Sequence, residues 1–250
     1  MRFFLSLAYN GKPFSGWQRQ LNANSVQQSI EEALSKLIGE PIALTGAGRT
    51  DAGVSASCFY AHFDCSCDVK ESTQFLYKLN AILPPEIVVF NIFRVDDNAH
   101  ARFDAICRSY RYFLHTKKDP FADSSLFYKF DIDVEKMNKA AEFLLGRHDF
   151  SSFEKIGSDN KTSICTVSKA EWTMTDNSHY VFHITADRFL RNMVRSIVGT
   201  LLDVGRGKME PEEMQRVISS CNRAAAGQSV PGEALFLCDI RYPYELYPIE

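Results

Sequence analysis

Gly46-Ala47-Gly48-Arg49-Thr50-Asp51-Ala52-Gly53-Val54, running on into Ser55-Ala56-Ser57-Cys58-Phe59-Tyr60-Ala61-His62-Phe63, decides between two kinds of fold. Gly46-x-Gly48-x-x-Asp51 comes close to a dinucleotide-binding fingerprint, which would set the loop between a strand and a helix of a parallel sheet. Asp51 stands where the third glycine belongs, and the Gly-Lys-Ser/Thr ending of a phosphate-binding loop is missing. The residues after Val54 are strand formers and open no helix. The loop therefore leads into a strand and calls for no nucleotide cofactor. An Arg and an Asp two residues apart in a glycine-framed turn can both point into a cleft, where the cation holds the carboxylate ionised. Arg49 and Asp51 are thus candidates for covalent or acid–base chemistry. The alternative is an ion pair that only ties down a turn.

The flanking sequence supplies the rest of the order. Met1 to Tyr9 alternates like a strand and stops at Asn10-Gly11. Ser25-Val26-Gln27-Gln28 reads as a capping box, with apolar residues at helical spacing from Val26 to Ile38 and a stop at Gly39. A second helix is expected from about Ser72 to Leu83, before Pro84-Pro85, and a buried strand over Ile87–Phe93. The first hundred residues read strand, helix, strand, strand, helix, strand. The remainder repeats that order. It has a strand over Arg108–His115, a helix behind Asp133 closed by Gly146, and paired strands around Asp176-Asn177-Ser178. A long apolar helical stripe from Phe189 to Leu202, a helix after Pro211 and a closing strand over Ala234–Ile240 complete it. Each half fits a split βαβ, ferredoxin-like (βαββαβ) unit, so the expected class is α+β. The division falls between 1–103 and 104–250, with the halves sharing an extended mixed, mostly antiparallel sheet and leaving a central cleft.

At 250 residues and 45% hydrophobic, the chain can bury a large core. The start of the chain is not a signal peptide and no apolar run reaches the length of a membrane span, so a cytoplasmic location is expected. The seven cysteines are odd in number and scattered, and Cys65-Ser66-Cys67 is too tight for the usual zinc spacing. His179 and His183 lie four apart on a strand, too far from one another to share a metal. Neither a metal nor a disulfide framework is expected. The net charge of −3 does not exclude a polyanionic partner, because binding depends on local clusters. One cluster is Arg102, Arg108, Arg111, Lys117 and Lys118. The other is Arg188, Arg191 and Arg195, then Arg206 and Lys208; the first three are spaced to line one face of the apolar helix and to meet phosphate or internal carboxylates. Tyr110 and Tyr112 share a strand face, with Arg111 on the other, and an aromatic there can stack on a base or fill the core.

Phe14-Ser15-Gly16-Trp17-Gln18-Arg19-Gln20, the Gly46–Val54 loop and His100-Ala101-Arg102-Phe103 closely resemble the tRNA pseudouridine synthase A family. So do Ser109-Tyr110-Arg111-Tyr112, His148–Phe153 and Phe189–Thr200, in the family's order along nearly the whole chain. The resemblance implies two ferredoxin-like halves around a cleft and a homodimer. It also implies isomerisation of uridines in the anticodon stem-loop of tRNA, at positions 38 to 40, without metal or cofactor. It makes Asp51 the essential aspartate, Arg49 its ion-pair partner and an aid in displacing the base, and Tyr110 the aromatic that stacks on uracil. Two positions depart from the family pattern. Ser55 replaces a histidine, for which a supporting role is expected, and Ala234 replaces a glycine, which implies that positive φ is not needed there or that the loop differs. A non-catalytic RNA-binding module is the rival reading, but a carboxylate at the heart of an RNA cleft repels phosphate unless chemistry needs it. A hydrolase using Asp51 as nucleophile would want a cluster of metal-binding carboxylates nearby, and none stands out.

Overall fold

Phe3, Phe4, Leu5, Leu7 and Tyr9 are all buried, so the first strand is a central one, covered on both faces. The computed structural model describes residues 1–69, 72–158, 160–176 and 178–249. Its elements are, in order, β1 (Arg2–Tyr9), α1 (Val26–Ile38), β2 (Leu44–Gly46), β3 (Ser55–Asp64), α2 (Ser72–Ile82) and β4 (Ile87–Val95). Then follow β5 (Cys107–His115), β6 (Leu126–Phe127), α3 (Val134–Glu142), β7 (Gly146–Asp149), β8 (Ile164–Met174) and β9 (His179–Ala186). Last come α4 (Met193–Gly205), α5 (Glu213–Ser220) and β10 (Leu235–Arg241). The class is α+β, as the sequence implies. Asn177, in the expected turn before β9, lies outside the described residues.

The chain forms two compact units, Met1–Ile106 with Leu237–Glu250, and Cys107–Phe236. In the first, β1 pairs antiparallel with β3 and with β4, and β2 pairs antiparallel with β3. The order β4-β1-β3-β2 is that of a ferredoxin-like βαββαβ unit. In the second, β5 pairs antiparallel with β9, β9 with β8 and β8 with β7, while the short β6 lies parallel to β5. The chain passes between units at Ile106–Cys107 and again at Phe236–Leu237, because β10 lies beside β3.

Local signals explain the helix ends. Ser25 caps α1 by accepting from Gln28 N at 3.2 Å, and Gly39 closes it at φ +86°. The capping box is only half made, since the Gln28 side chain donates instead to Glu32 at 2.8 Å. Asp133 caps α3 through Lys136 N at 3.0 Å. That helix ends at Glu142, so Leu144 and Leu145 fall in the turn before Gly146 rather than on the helix.

Candidate active site

The loop from Ala47 to Val54 is held from below by an aromatic cluster and from one side by the Phe14–Trp17 turn. Tyr9, Trp17 and Phe59 are buried together, with Trp17 and Phe59 ring centroids 4.1 Å apart and Tyr9 edge-on to Phe59 at 5.5 Å. Gly46 lies flat on the indole: a Cβ there would sit 2.6 Å from Trp17 ring atoms, which is why this position takes glycine. Buried Thr50 shares a 2.9 Å hydrogen bond with the Tyr9 hydroxyl. Trp17 N–H donates to Thr50 O at 3.2 Å, and Gly53 N–H, with φ +78°, donates to Phe14 O at 3.4 Å. Gly16 takes φ +99°, and its missing side chain leaves room for the Thr50–Asp51 peptide. The turn is anchored in its own right, as Gly16 O and Trp17 O accept from Val26 N and Gln27 N in the first turn of α1. Asp51 is half-buried on this clamped backbone, and Val54 N–H closes the turn on Asp51 O at 3.2 Å.

Three details differ from the sequence reading. Arg49 is exposed, and its Nε donates to Gln18 Oε1 at 3.1 Å; among the described residues no Arg49–Asp51 ion pair is formed. Gln18 is the acceptor that Arg49 takes instead. Of the loop's glycines, Gly48 would carry a Cβ with nothing within 4 Å, so packing does not demand glycine there. Ser55 is buried and its hydroxyl accepts from Gly11 N at 3.0 Å, beside the point where Gly11 passes so close to Val54 that a Cβ would overlap the Val54 carbonyl. The departure at Ser55 is thus a backbone tie within the loop's support.

Behind Gln18 lies a polar network that the pattern on α1 does not reveal. Gln27 and Glu31 are buried on the inner face of α1, bound to each other at 2.9 Å and to the main chain of Leu44 at 2.8 and 2.9 Å. The only signal in the sequence is their i, i+4 spacing, which is equally that of an exposed helix pair.

The other expected residues belong to the second unit. Tyr110, half-buried on β5, packs edge-on against Phe189, with ring centroids 5.0 Å apart. Tyr112, on the same face, is fully buried; its hydroxyl donates to Pro231 O at 3.1 Å and burial pushes its pKa up. Arg111 is exposed on the opposite face, across from His183. Arg188, Arg191 and Arg195 do not form one helical face: α4 begins at Met193, so only Arg195 is on it. Asn192 at φ +68° breaks the run, and Asp187 Oδ1 turns the chain after β9 by accepting from Thr166 N and Arg188 N. Arg195 Nε donates to Val230 O at 2.7 Å, which bends its role toward bracing the 226–232 loop. Gly199 in α4 approaches Gln228 O so closely that a Cβ would overlap it, and Gly227 N donates to Thr200 Oγ1 at 2.9 Å. Ala234, in place of the family's glycine, is not at positive φ.

Among the described residues no group of three or more His, Cys, Asp or Glu could hold a metal ion, and no helix is long and apolar enough to cross a membrane. A sequence model of the family described as tRNA pseudouridine synthase matches residues 140–243. The tRNA pseudouridine synthase A of Parabacteroides distasonis is 51% identical over 251 residues, covering 100% of this chain and 99% of its own. The chain belongs to the tRNA pseudouridine synthase A family. The protein of that name from Porphyromonas gingivalis is 47% identical, covering 98% of this chain and 99% of its own. That of Colwellia psychrerythraea is 38% identical, covering 97% and 94%. Pseudouridine synthases are isomerases, and the Parabacteroides relative matches along the whole chain.

Proposed function

We propose that the chain isomerises uridine to pseudouridine in the anticodon stem-loop of tRNA, at positions 38, 39 and 40, with Asp51 as the essential group and no cofactor. Asp51 on its clamped turn carries this reading: the Phe14–Trp17 segment fixes the peptides on both sides of a half-buried carboxylate. Such a backbone holds a reacting group in one place at little entropic cost during the reaction. The conversion breaks the N1–C1′ bond, turns the base and joins C5 to C1′, with the C5 proton lost and N1 protonated, so atoms and electrons balance within the nucleotide and solvent. A carboxylate suits both routes to it, attack at C1′ or removal of the C2′ proton. The uridine must first leave its stack, costing about a few kcal/mol that contacts to base and phosphate offset. Tyr110 supplies a ring face for the displaced uracil, Arg49 a cation beside the loop, and Arg111, Arg188, Arg191 and Arg195 contacts to phosphate. The family resemblance extends the proposal to a cytoplasmic homodimer.

The test uses unmodified tRNA transcripts with uridine at 38, 39 or 40, in buffer with chelator and no cofactor, mapping pseudouridine at single-nucleotide resolution. Product at these sites is expected from the wild type. Asp51→Asn is expected to bind tRNA and make none. Turnover by Asp51→Asn near the wild-type rate, or product only elsewhere, refutes the proposal. Deuteration at C2′ slows the reaction if Asp51 takes that proton and leaves it unchanged if Asp51 attacks C1′.

A further inference from the structure

Gln18, Gln27 and Glu31 form a chain of hydrogen bonds whose direction is dictated at its buried end. Leu44 O accepts from Gln27 Nε2 at 2.8 Å, while Arg19 N–H donates to Gln27 Oε1 at 2.9 Å. An acceptor on one side and a donor on the other allow the Gln27 amide one orientation only. The Glu31 carboxylate reinforces it, taking Gln27 Nε2 and Leu44 N on Oε1, each at 2.9 Å, and Arg19 Nη1 on Oε2 at 3.0 Å. Gln27 Oε1 then accepts from Gln18 Nε2 at 2.8 Å, which turns Gln18 Oε1 outward, where Arg49 Nε donates to it at 3.1 Å. Flipping any amide in the chain would set donor against donor or acceptor against acceptor.

We infer that Gln18, Gln27 and Glu31 are positioning residues for Arg49: the buried carboxylate sets the sense of the chain, so that an acceptor always faces the guanidinium beside Asp51. Gln18 holds Arg49 by Nε alone, and among the described residues Nη1 and Nη2 make no hydrogen bond. Those donors are presented to the substrate, and the uracil oxygens or a backbone phosphate are the groups they fit. A fixed guanidinium plane loses less freedom on meeting them than a mobile one. This inference rests on the proposed function, in which Arg49 acts beside Asp51.

A double-mutant cycle tests it. Gln18→Met keeps the length of a half-exposed side chain and removes both hydrogen bonds; kcat/KM on tRNA is measured alone and in an Arg49→Ala background, with unfolding followed for every variant. Gln18→Met is expected to lower kcat/KM about tenfold with Arg49 present and less than about twofold without it. Glu31→Gln should show the same dependence on Arg49, although it also loses stability. An equal loss in both backgrounds overturns the inference, because Gln18 then acts on something other than Arg49. Gln18→Met at the wild-type rate, while Arg49→Ala is impaired, overturns it and leaves the role of Arg49 intact. Arg49→Ala at the wild-type rate overturns the underlying role of Arg49 and the inference with it.

Discussion

Replacing Gly16 by alanine drives a methyl group into the main chain that carries Asp51. A Cβ at Gly16 lies 2.6 Å from Thr50 O and 3.2 Å from the Asp51 carbonyl carbon, with φ at +99°. An L-residue held at positive φ costs about 1–2 kcal/mol. Restoring an ordinary 3.4 Å contact moves the Thr50 carbonyl by about 0.8 Å, since the obstructing atoms are backbone rather than a flexible side chain. Overpacking of this kind adds about 1–3 kcal/mol, so the variant is expected to lose about 2–5 kcal/mol in all. The same displacement carries Asp51 with it, and a misplacement approaching 1 Å costs about 100-fold in rate. Urea unfolding gives the first quantity, and single-turnover pseudouridine formation at saturating enzyme the second. Gly48→Ala is the matched control, because a Cβ there meets nothing within 4 Å. It should stay within about 0.5 kcal/mol of the wild type. Gly16→Ala with wild-type stability and wild-type rate would refute the clamp.

Tyr110→Phe is expected to keep most of the turnover, whereas Tyr110→Ala should lose about 10- to 100-fold in kcat/KM, the worth of one base–aromatic stack. An unchanged Ala variant would return Tyr110 to a packing role against Phe189. Arg195→Met should cost about 1–3 kcal/mol of stability through the lost bond to Val230 O. The exposed Arg191, replaced by alanine, should change stability by less than about 1 kcal/mol and reduce the salt slope of tRNA binding by about 1; an unchanged slope removes it from the phosphate contacts. Burial lowers the pKa of His62 from 6.5 to about 4, and its Nδ1 accepts from Ala101 N at 3.1 Å. The unfolded chain therefore binds the extra proton between about pH 6.5 and 4, and stability falls as pH drops through that window. The loss should be about 3 kcal/mol by its lower end and absent from His62→Gln in urea titrations at pH 7 and pH 4.5; parallel pH profiles would contradict it.

Elements whose ends carry local chemistry are legible in the amino-acid order alone. Ser25 and Gly39 bound α1, Asp133 starts α3, and the alternation from Met1 to Tyr9 is β1, because caps and periodicity act over a few residues. Stripes without such ends read too long. The apolar run from Phe189 suggests a helix bearing all three arginines, but Asn192 at positive φ starts it only at Met193. The glycine–Arg–Asp loop, its flanking strand and its family are also open to reading from the chain, since residue types and their order are local information. Which partners those residues hold is not. Gln18 lies 31 positions from Arg49, and Gly16 fits under Thr50 across a similar separation. Gln27 and Glu31 look like an exposed helix pair until β2 comes to lie against them. That Asp51 sits in a turn between glycines is written in the residue order, because glycine permits the turn whatever surrounds it. That the turn is clamped by Phe14–Trp17, and that Arg49 is held by a buried carboxylate through two amides, follows from packing alone, because hydrogen bonds between distant segments exist only once the chain has folded.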